Sequence, residues 1–217
     1  MKTIQSIFSG LNFSKFLLTL VFLSAISFSN ASLSDEQVAP DQVVKNTVDA
    51  VVKNIQANRA EYQQNIDALY QMLEETLVPA LHVDRMSSLI LGKKYSRSAT
   101  AQQKRDFADA FKTSLMKTYA AALLEYTGDQ KVIYKPVVGA PGADKVKVQA
   151  DLVSATGDVY AITLSMSNRK DTRWRAYNME VAGINLIATY RATFGDILDA
   201  KGVDGLIKDL QTKNKRI

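Results

Sequence analysis

The stretch that decides the fold runs from Trp174 to Phe194 and has the sequence WRAYNMEVAGINLIATYRATF. Its first half has the two-residue period of a strand, which places alternate side chains on opposite faces. One predicted face carries Tyr177, Met179 and Val181. The other predicted face carries Trp174, Ala176 and Asn178.

The second half of the stretch predicts a helix that follows the strand after a turn at Gly183. Asn185 stands where an N-cap is expected, because its side chain can accept a hydrogen bond from a free backbone amide. Large apolar residues then recur at helical spacing, at Ile187, Tyr190, Phe194 and Ile197. No histidine, cysteine or serine with a plausible base lies among them. Strand and helix together therefore predict an interior that surrounds something apolar.

Upstream, apolar residues at helical spacing predict helices over about 41–58, 62–77, 84–91 and 100–127. Asp41 is expected to cap the first helix, and Gly92 is expected to stop the third. Thr100 with Gln103 three residues later forms a capping box at the start of the fourth. That helix carries one continuous stripe of large side chains, namely Phe107, Phe111, Leu115, Tyr119, Leu123 and Tyr126.

After Gly128 the apolar period changes to two and predicts strands at 132–134, 146–152 and 160–166. With the strand from Trp174, these make an antiparallel sheet of four strands. An antiparallel sheet with one apolar face needs a cover, which the amphipathic helices supply. The predicted fold is α+β: a helical part at about 41–127, a curved sheet at 131–182 that cups helices, and C-terminal helices at 185–213.

Two blocks of sequence carry a family resemblance. One comprises residues 174–178, 183–187, 190–191, 194 and 202–207, and the other comprises residues 91–93, 99–100, 103–104, 107, 111, 115, 118–120, 123 and 126. In order and spacing they resemble the MlaC or toluene-tolerance family of periplasmic phospholipid-binding proteins from Gram-negative bacteria. The resemblance covers essentially the whole chain after its leader. It implies a cup similar to the nuclear-transport-factor-like (NTF2-like) folds.

The resemblance also assigns the inward apolar side chains to a lipid-binding cavity. Taken alone, those stripes would be ordinary core, although the recurring inward tyrosines favour a partly open cavity because a buried hydroxyl needs a partner. The expected lining residues are Phe111, Leu115, Tyr119, Leu123, Val148, Tyr160, Ile162, Leu164, Met166, Tyr177, Met179, Val181, Ile184, Ile187, Tyr190 and Phe194. Arg173, Arg175 and Arg191 would form a headgroup rim, or would be plain surface charge.

By resemblance, the ligand is a phospholipid and the protein has no catalytic activity and no cofactor. Its partners would be an inner-membrane ABC-transporter complex with an MCE-domain component and an outer-membrane lipoprotein–porin complex. We expect a monomer that does not bind nucleic acid. Two other hypotheses remain open, an exported enzyme that uses the same cup as its active site and a chaperone-like module for unfolded outer-membrane proteins.

Export is predicted from the N-terminus alone. Lys2 and Lys15 are the only charges before Asp35, residues 16–28 are mostly apolar, and Ser29-Asn30-Ala31 supplies a small-residue cleavage site. A signal peptide is therefore expected at 1–31, leaving one lipid-binding domain at 32–217; an uncleaved inner-membrane anchor is the alternative. The absence of cysteine fits a periplasmic protein stabilised by its core rather than by disulfides.

Residues that could carry chemistry are few. His82 is the sole histidine and there is no cysteine, so no metal site is predicted. The ten glycines are isolated at turns, which excludes a phosphate-binding glycine loop. A formal charge of +5 is modest, and the basic run 213–216 is expected to be a solvated tail. These patterns predict no catalytic residue.

Overall fold

The computed structural model describes residues 38–126, 128–169 and 172–215. The predicted signal peptide and the possible inner-membrane anchor lie outside the described residues. Four helices come first: α1 at Pro40–Gln64, α2 at Ile66–Thr76, α3 at Val83–Ser98 and α4 at Ala101–Leu124. A single 3-10 turn at Val78–Ala80, which contains Pro79, joins α2 to α3.

The ends of these helices follow their capping chemistry, with one correction. The capping box of Thr100 and Gln103 is confirmed, since each side chain accepts a hydrogen bond from the other residue's backbone amide. The prediction that Asp41 caps α1 was wrong, because the N-cap is Ala39 and Pro40 begins the helix. Asp41 instead lies in the first turn, where its charge favours the positive end of the helix dipole.

The helix predicted to continue from 62 to 77 is divided by Asn65. This residue ends α1 and caps α2, and its side chain accepts a hydrogen bond from the amide of Ala68 at 3.3 Å. Gly92 breaks α3 with a φ of 67°, as predicted, but helical structure resumes and continues to Ser98. Helix α4 ends at Leu124, before the predicted stop at Gly128.

The sheet is antiparallel and open, with strands in the order β1-β2-β3-β4-β5. The strands are Lys131–Tyr134, Lys145–Val153, Val159–Ser167, Arg175–Val181 and Ile184–Asn185. The predicted number of four is corrected to five. The additional strand, β5, forms because Ala182 and Gly183 both have positive φ, 49° and 80°, in a two-residue hairpin turn that returns the chain onto β4.

The pairing of β2 with β3 gives the sheet one apolar and one polar face. Val148 lies opposite Leu164, Ala150 opposite Ile162, and Leu152 opposite Tyr160. The alternate positions pair polar residues, with Lys147 opposite Ser165 and Gln149 opposite Thr163. The buried residues Val148, Ala150 and Met166 all lie on the apolar face, whereas the polar face is exposed or half-buried except at Ser167.

A β-bulge in β4 overturns the predicted division of its faces. Leu164 pairs with Met179, but the register then shifts so that Met166 pairs with Ala176, which leaves Tyr177 as the extra residue. Ala176 therefore lies on the same face as Met179 and Val181. Together with Trp174 it packs against Val148 and Met166.

The last helix, α5, spans Leu186–Asn214 and is broken at Gly202, where φ is 66°. Asn185 caps it as predicted, since its side chain accepts a hydrogen bond from the amide of Ala188 at 3.0 Å. Helix α5 packs with α3 and α4 around Phe107, Phe111 and Phe194 in what we call the helical cluster. Helices α1, α2 and α4 form a second cluster, and the apolar sheet face forms a third with Val43 and Val44 of α1.

Candidate functional site

The apolar face of the sheet is the first component of the candidate site. Val148 and Met166 are each only 1% exposed and belong to tightly packed core. Farther along the same face, apolar side chains are only half-buried, namely Leu152, Tyr160, Ile162, Leu164, Met179 and Val181. An apolar ligand could pack against this row of side chains and bury their remaining surface while the protein stays folded.

The middle of α4 likewise combines buried with half-buried apolar side chains. Phe111 is 1% exposed, whereas Leu115, Tyr119 and Leu123 of the predicted stripe are half-buried. Leu115 and Tyr119 pack against the helical cluster, while Leu123 packs against the cluster made with α1 and α2. The stripe is therefore continuous in sequence, but its residues pack into two different clusters.

Aromatic rings fix the wall between α4 and α5. The rings of Phe111 and Tyr190 meet edge to face, with centroids 5.0 Å apart and an interplanar angle of 85°. Tyr190 also lies 5.4 Å from Phe194, which in turn meets Phe107 edge to face. Such contacts orient rings as well as bury them. Ile187 and Phe194 are buried members of this cluster rather than exposed lining.

Two tyrosine hydroxyls meet inside this wall. The pKa of Tyr190 is raised mainly because burial disfavours the phenolate, and also by its hydrogen bond with Tyr119. Burial likewise raises the pKa of Tyr119, while the hydrogen bond from Tyr190 lowers it in part. The two hydroxyls thus partner each other within an otherwise apolar region, so this pair does not by itself require an open cavity.

A cavity of about 160 Å³ lies where the sheet, α1 and α4 meet. Leu123 and Leu152 line it, and Leu152 belongs to the apolar sheet face because it pairs with Tyr160. The remaining lining residues are Val51, Val52, Ile55, Ala122, Glu125, Tyr126 and Gln130. The contribution of α1 was missed, although the apolar spacing of Val51 and Ile55 in that helix was the available signal.

The three predicted rim arginines occupy different settings. Arg191 donates from Nε to the carbonyl oxygen of Leu89 at 3.0 Å and also from Nη2, so its guanidinium satisfies the α3 turn before Gly92. Arg173 is exposed, and Arg175 is half-buried at the start of β4. A fourth arginine, Arg85, stacks over the ring of the bulge residue Tyr177 at 3.8 Å. Ile184, also predicted to line the cavity, is 40% exposed on β5.

The sole histidine has a structural place. His82 is buried at the N-cap of α3, and its backbone amide donates to the carbonyl of Ala176 at 2.8 Å. Within residues 38–126, 128–169 and 172–215, no group of histidine and carboxylate side chains is arranged to hold a metal ion. Over the same ranges, no helix has both the length and the apolar character needed to cross a bilayer.

Comparison with known proteins agrees with this architecture. A solved structure of a phospholipid-binding protein from Ralstonia solanacearum, in complex with a phospholipid, matches with a TM-score of 0.73 and 27% sequence identity. The match covers 82% of this chain and 97% of that one. The toluene tolerance protein ttg2D of Pseudomonas putida is 33% identical over 165 residues, which is 76% of this chain and 75% of that protein.

A second relative is the intermembrane phospholipid transport system binding protein MlaC of Haemophilus influenzae. It is 25% identical over 178 residues, covering 81% of this chain and 82% of that protein. The family model described as MlaC protein matches residues 45–212, from the middle of α1 to the end of α5. With well over half of the chain matched, the protein belongs to the MlaC family.

Proposed function

We propose that this protein is a periplasmic carrier that shuttles glycerophospholipids between the inner and outer membranes. The acyl chains lie between the half-buried apolar face of the sheet and the helices α1, α4 and α5. The observation that carries the proposal is that face, in which Tyr160, Ile162, Leu164, Met179 and Val181 are neither core nor solvent-exposed surface. The phospholipid bound to the Ralstonia solanacearum relative supports this choice of ligand.

The size of the hydrophobic term explains why a carrier would need an enclosed site. A diacyl lipid has on the order of 30 methylenes, and each is worth about 0.8 kcal/mol when removed from water. Leaving both chains wet would therefore cost about 20 kcal/mol or more. Because bilayer and cavity are both apolar, transfer between them is close to neutral in free energy. The direction of transport is then set by the partners.

The predicted lining residues have two roles within this proposal. The buried members, Phe111, Val148, Met166, Ile187 and Phe194, form the rigid backing of the walls. The half-buried members contact the chains, and the tyrosine pair of α4 and α5 keeps its hydroxyls paired while presenting ring edges. Arg173 and Arg175, just before and at the start of β4, remain the proposed headgroup rim. The guanidinium of Arg191 donates to the carbonyl oxygen of Leu89 in α3.

The predicted leader and the family support a periplasmic setting for the proposed carrier. Cleavage after residue 31 would release the protein into the periplasm, and the name of the Haemophilus influenzae relative supports a role between membranes. The proposed partners are the inner-membrane ABC-transporter complex with its MCE-domain component and the outer-membrane lipoprotein–porin complex. The carrier itself needs no cofactor and performs no reaction.

The test is to purify the exported protein from a Gram-negative host and to analyse its organic extract by mass spectrometry. We expect glycerophospholipid at close to one molecule per chain. A water-soluble metabolite in the aqueous phase of the same extraction would favour the enzyme hypothesis, and outer-membrane polypeptides that co-purify without lipid would favour the chaperone hypothesis. Only background lipid in the extract would refute the carrier.

A further inference from the structure

The cavity is too small for the ligand proposed above. Sites for drug-sized ligands measure roughly 300–1,000 Å³, whereas this cavity is about 160 Å³. A phospholipid is larger than such ligands, so one wall must move before it can enter. The question is which wall is built to do so.

Helix α1 is a wall with few buried residues for its length, and Val51 and Ile55 are part of its contribution to the cluster with α2 and α4. Of its 25 residues, only Val51, Ile55 and Tyr62 are buried. Val51 and Ile55 line the cavity together with Val52 and face Leu123 and Tyr126 of the opposite wall. Near its start, α1 touches the sheet through the partly buried side chains of Val43 and Val44.

The backbone of α1 leaves helical geometry at Asn58, with φ −123° and ψ 20°. The next residue, Arg59, donates from Nη1 to the carbonyl of Leu124 and from Nη2 to the carbonyl of Tyr126. These carbonyls lie at the C-terminal end of α4, where helices leave acceptors unsatisfied and favour a cation. The segment after the break is therefore tied to α4, whereas the cavity-lining segment lies before it.

We propose that residues 40–57 of α1 form a gate that swings about Asn58, while Arg59 holds the pivot against the end of α4. This inference rests on the proposed carrier function and adds the route by which lipid enters and leaves. Closed, the gate places Val51, Val52 and Ile55 over the lipid site and its tip against the sheet. Open, it exposes the half-buried sheet face, whose apolar side chains then receive the acyl chains.

The absence of cysteine from the chain allows the gate to be locked selectively. Val52→Cys on α1 and Glu125→Cys after α4 would be joined by a short, reducible bis-methanethiosulfonate, since both residues line the same cavity. The matched control joins Lys94→Cys to Asp199→Cys, replacing a 3.0 Å ion pair between α3 and α5. The delipidated protein is then offered a fluorescent phosphatidylethanolamine in detergent micelles, and the loading rate is followed.

We expect the lock on α1 to slow loading by about tenfold or more, as closure of a gating element does, and reduction to restore the rate. The control lock should leave the rate unchanged. Conversely, Val44→Ser should speed loading by about tenfold, the factor that burial of one to two methylenes is worth. Val159→Ser, at a valine that is 60% exposed on β3, should change it less than about twofold.

Equal loading before and after the α1 lock would overturn the gate while leaving the carrier function standing. An unchanged rate in Val44→Ser would do the same, because that variant needs no linker and removes only the contact at the gate tip. If the unlocked protein took up no lipid at all, the carrier function itself would fail, and the gate with it.

Discussion

Leu164→Glu tests the apolar sheet face most directly. Leu164 lies at the centre of the sheet, opposite Val148 on β2 and Met179 on β4, and it is half-buried. In the free protein the new carboxylate can reach water, so we expect the fold to survive. With acyl chains packed over the face, the carboxylate would lose that access, and lipid should no longer be retained.

The expected loss of affinity has two parts. Full burial of a leucine side chain is worth about 1.5–3 kcal/mol; because Leu164 is already half-buried, bound lipid adds about half of that, about 1 kcal/mol, which is forfeited. Neutralising a glutamate of ordinary pKa near 4.3 so that it can be buried at pH 7 costs about 4 kcal/mol more. The total of roughly 5 kcal/mol corresponds to about three to four orders of magnitude in the dissociation constant.

The assay is lipid phosphorus per protein after purification, with circular dichroism and gel filtration to verify a folded monomer. Ser165→Glu is the matched control, because Ser165 is the next residue on β3 but lies on the polar face opposite Lys147. It should keep its lipid. A folded Leu164→Glu protein with a full complement of lipid would refute the assignment of this face, and an unfolded one would show that Leu164 is core.

Three further predictions concern stability and chemistry. Thr100→Ala should lower the free energy of unfolding by about 1 kcal/mol in a urea titration, because the capping box of α4 is lost; an unchanged midpoint would contradict this. Because burial raises the pKa of Tyr190, the folded state keeps this phenol protonated at pH values where the unfolded state has begun to lose its proton. The contribution to stability is therefore fully present below the unfolded pKa near 10 and is lost as the pH rises towards the folded pKa. Tyr190→Phe should therefore weaken the decline in stability between about pH 9 and 11, and an equally steep decline would refute that origin. Asp67→Asn, and His82→Ala in its folded fraction, should leave lipid transfer to membranes carrying the inner-membrane complex nearly unchanged; a hundredfold loss in either, on the order of a missing general acid or base, would point to catalysis.

The features that the sequence predicts well are those set by neighbouring residues. The capping box at Thr100 and the cap at Asn185 depend on side chains that reach amides three residues away, and both are confirmed. The turn at Gly183 is confirmed for a similar reason, since glycine readily adopts the positive φ that the turn requires at this position. The antiparallel pairing of consecutive strands could also be predicted, because it follows from the spacing of apolar residues along the chain.

The features that the sequence does not predict depend on contacts between distant segments. The bulge at Tyr177 belongs to the pairing of β4 with β3, where Arg85 stacks on the ring of the extra residue. A two-residue period alone therefore assigns Ala176 to the wrong face. The role of α1 is missed because an apolar helical stripe looks the same over a cavity as over a core. The lining residues taken from the resemblance remain predictions until lipid contacts are measured.

An open sheet leaves two edge strands that could pair with another copy of the chain. In this protein both edge strands have features that oppose such pairing. Strand β5 is only two residues long, which is too short to serve as a template. Strand β1 has four residues, begins with an exposed lysine and is followed by Lys135 and Pro136, and charge and proline both oppose edge-to-edge pairing. The sheet can thus stay open while both of its edges disfavour pairing with another copy of the chain.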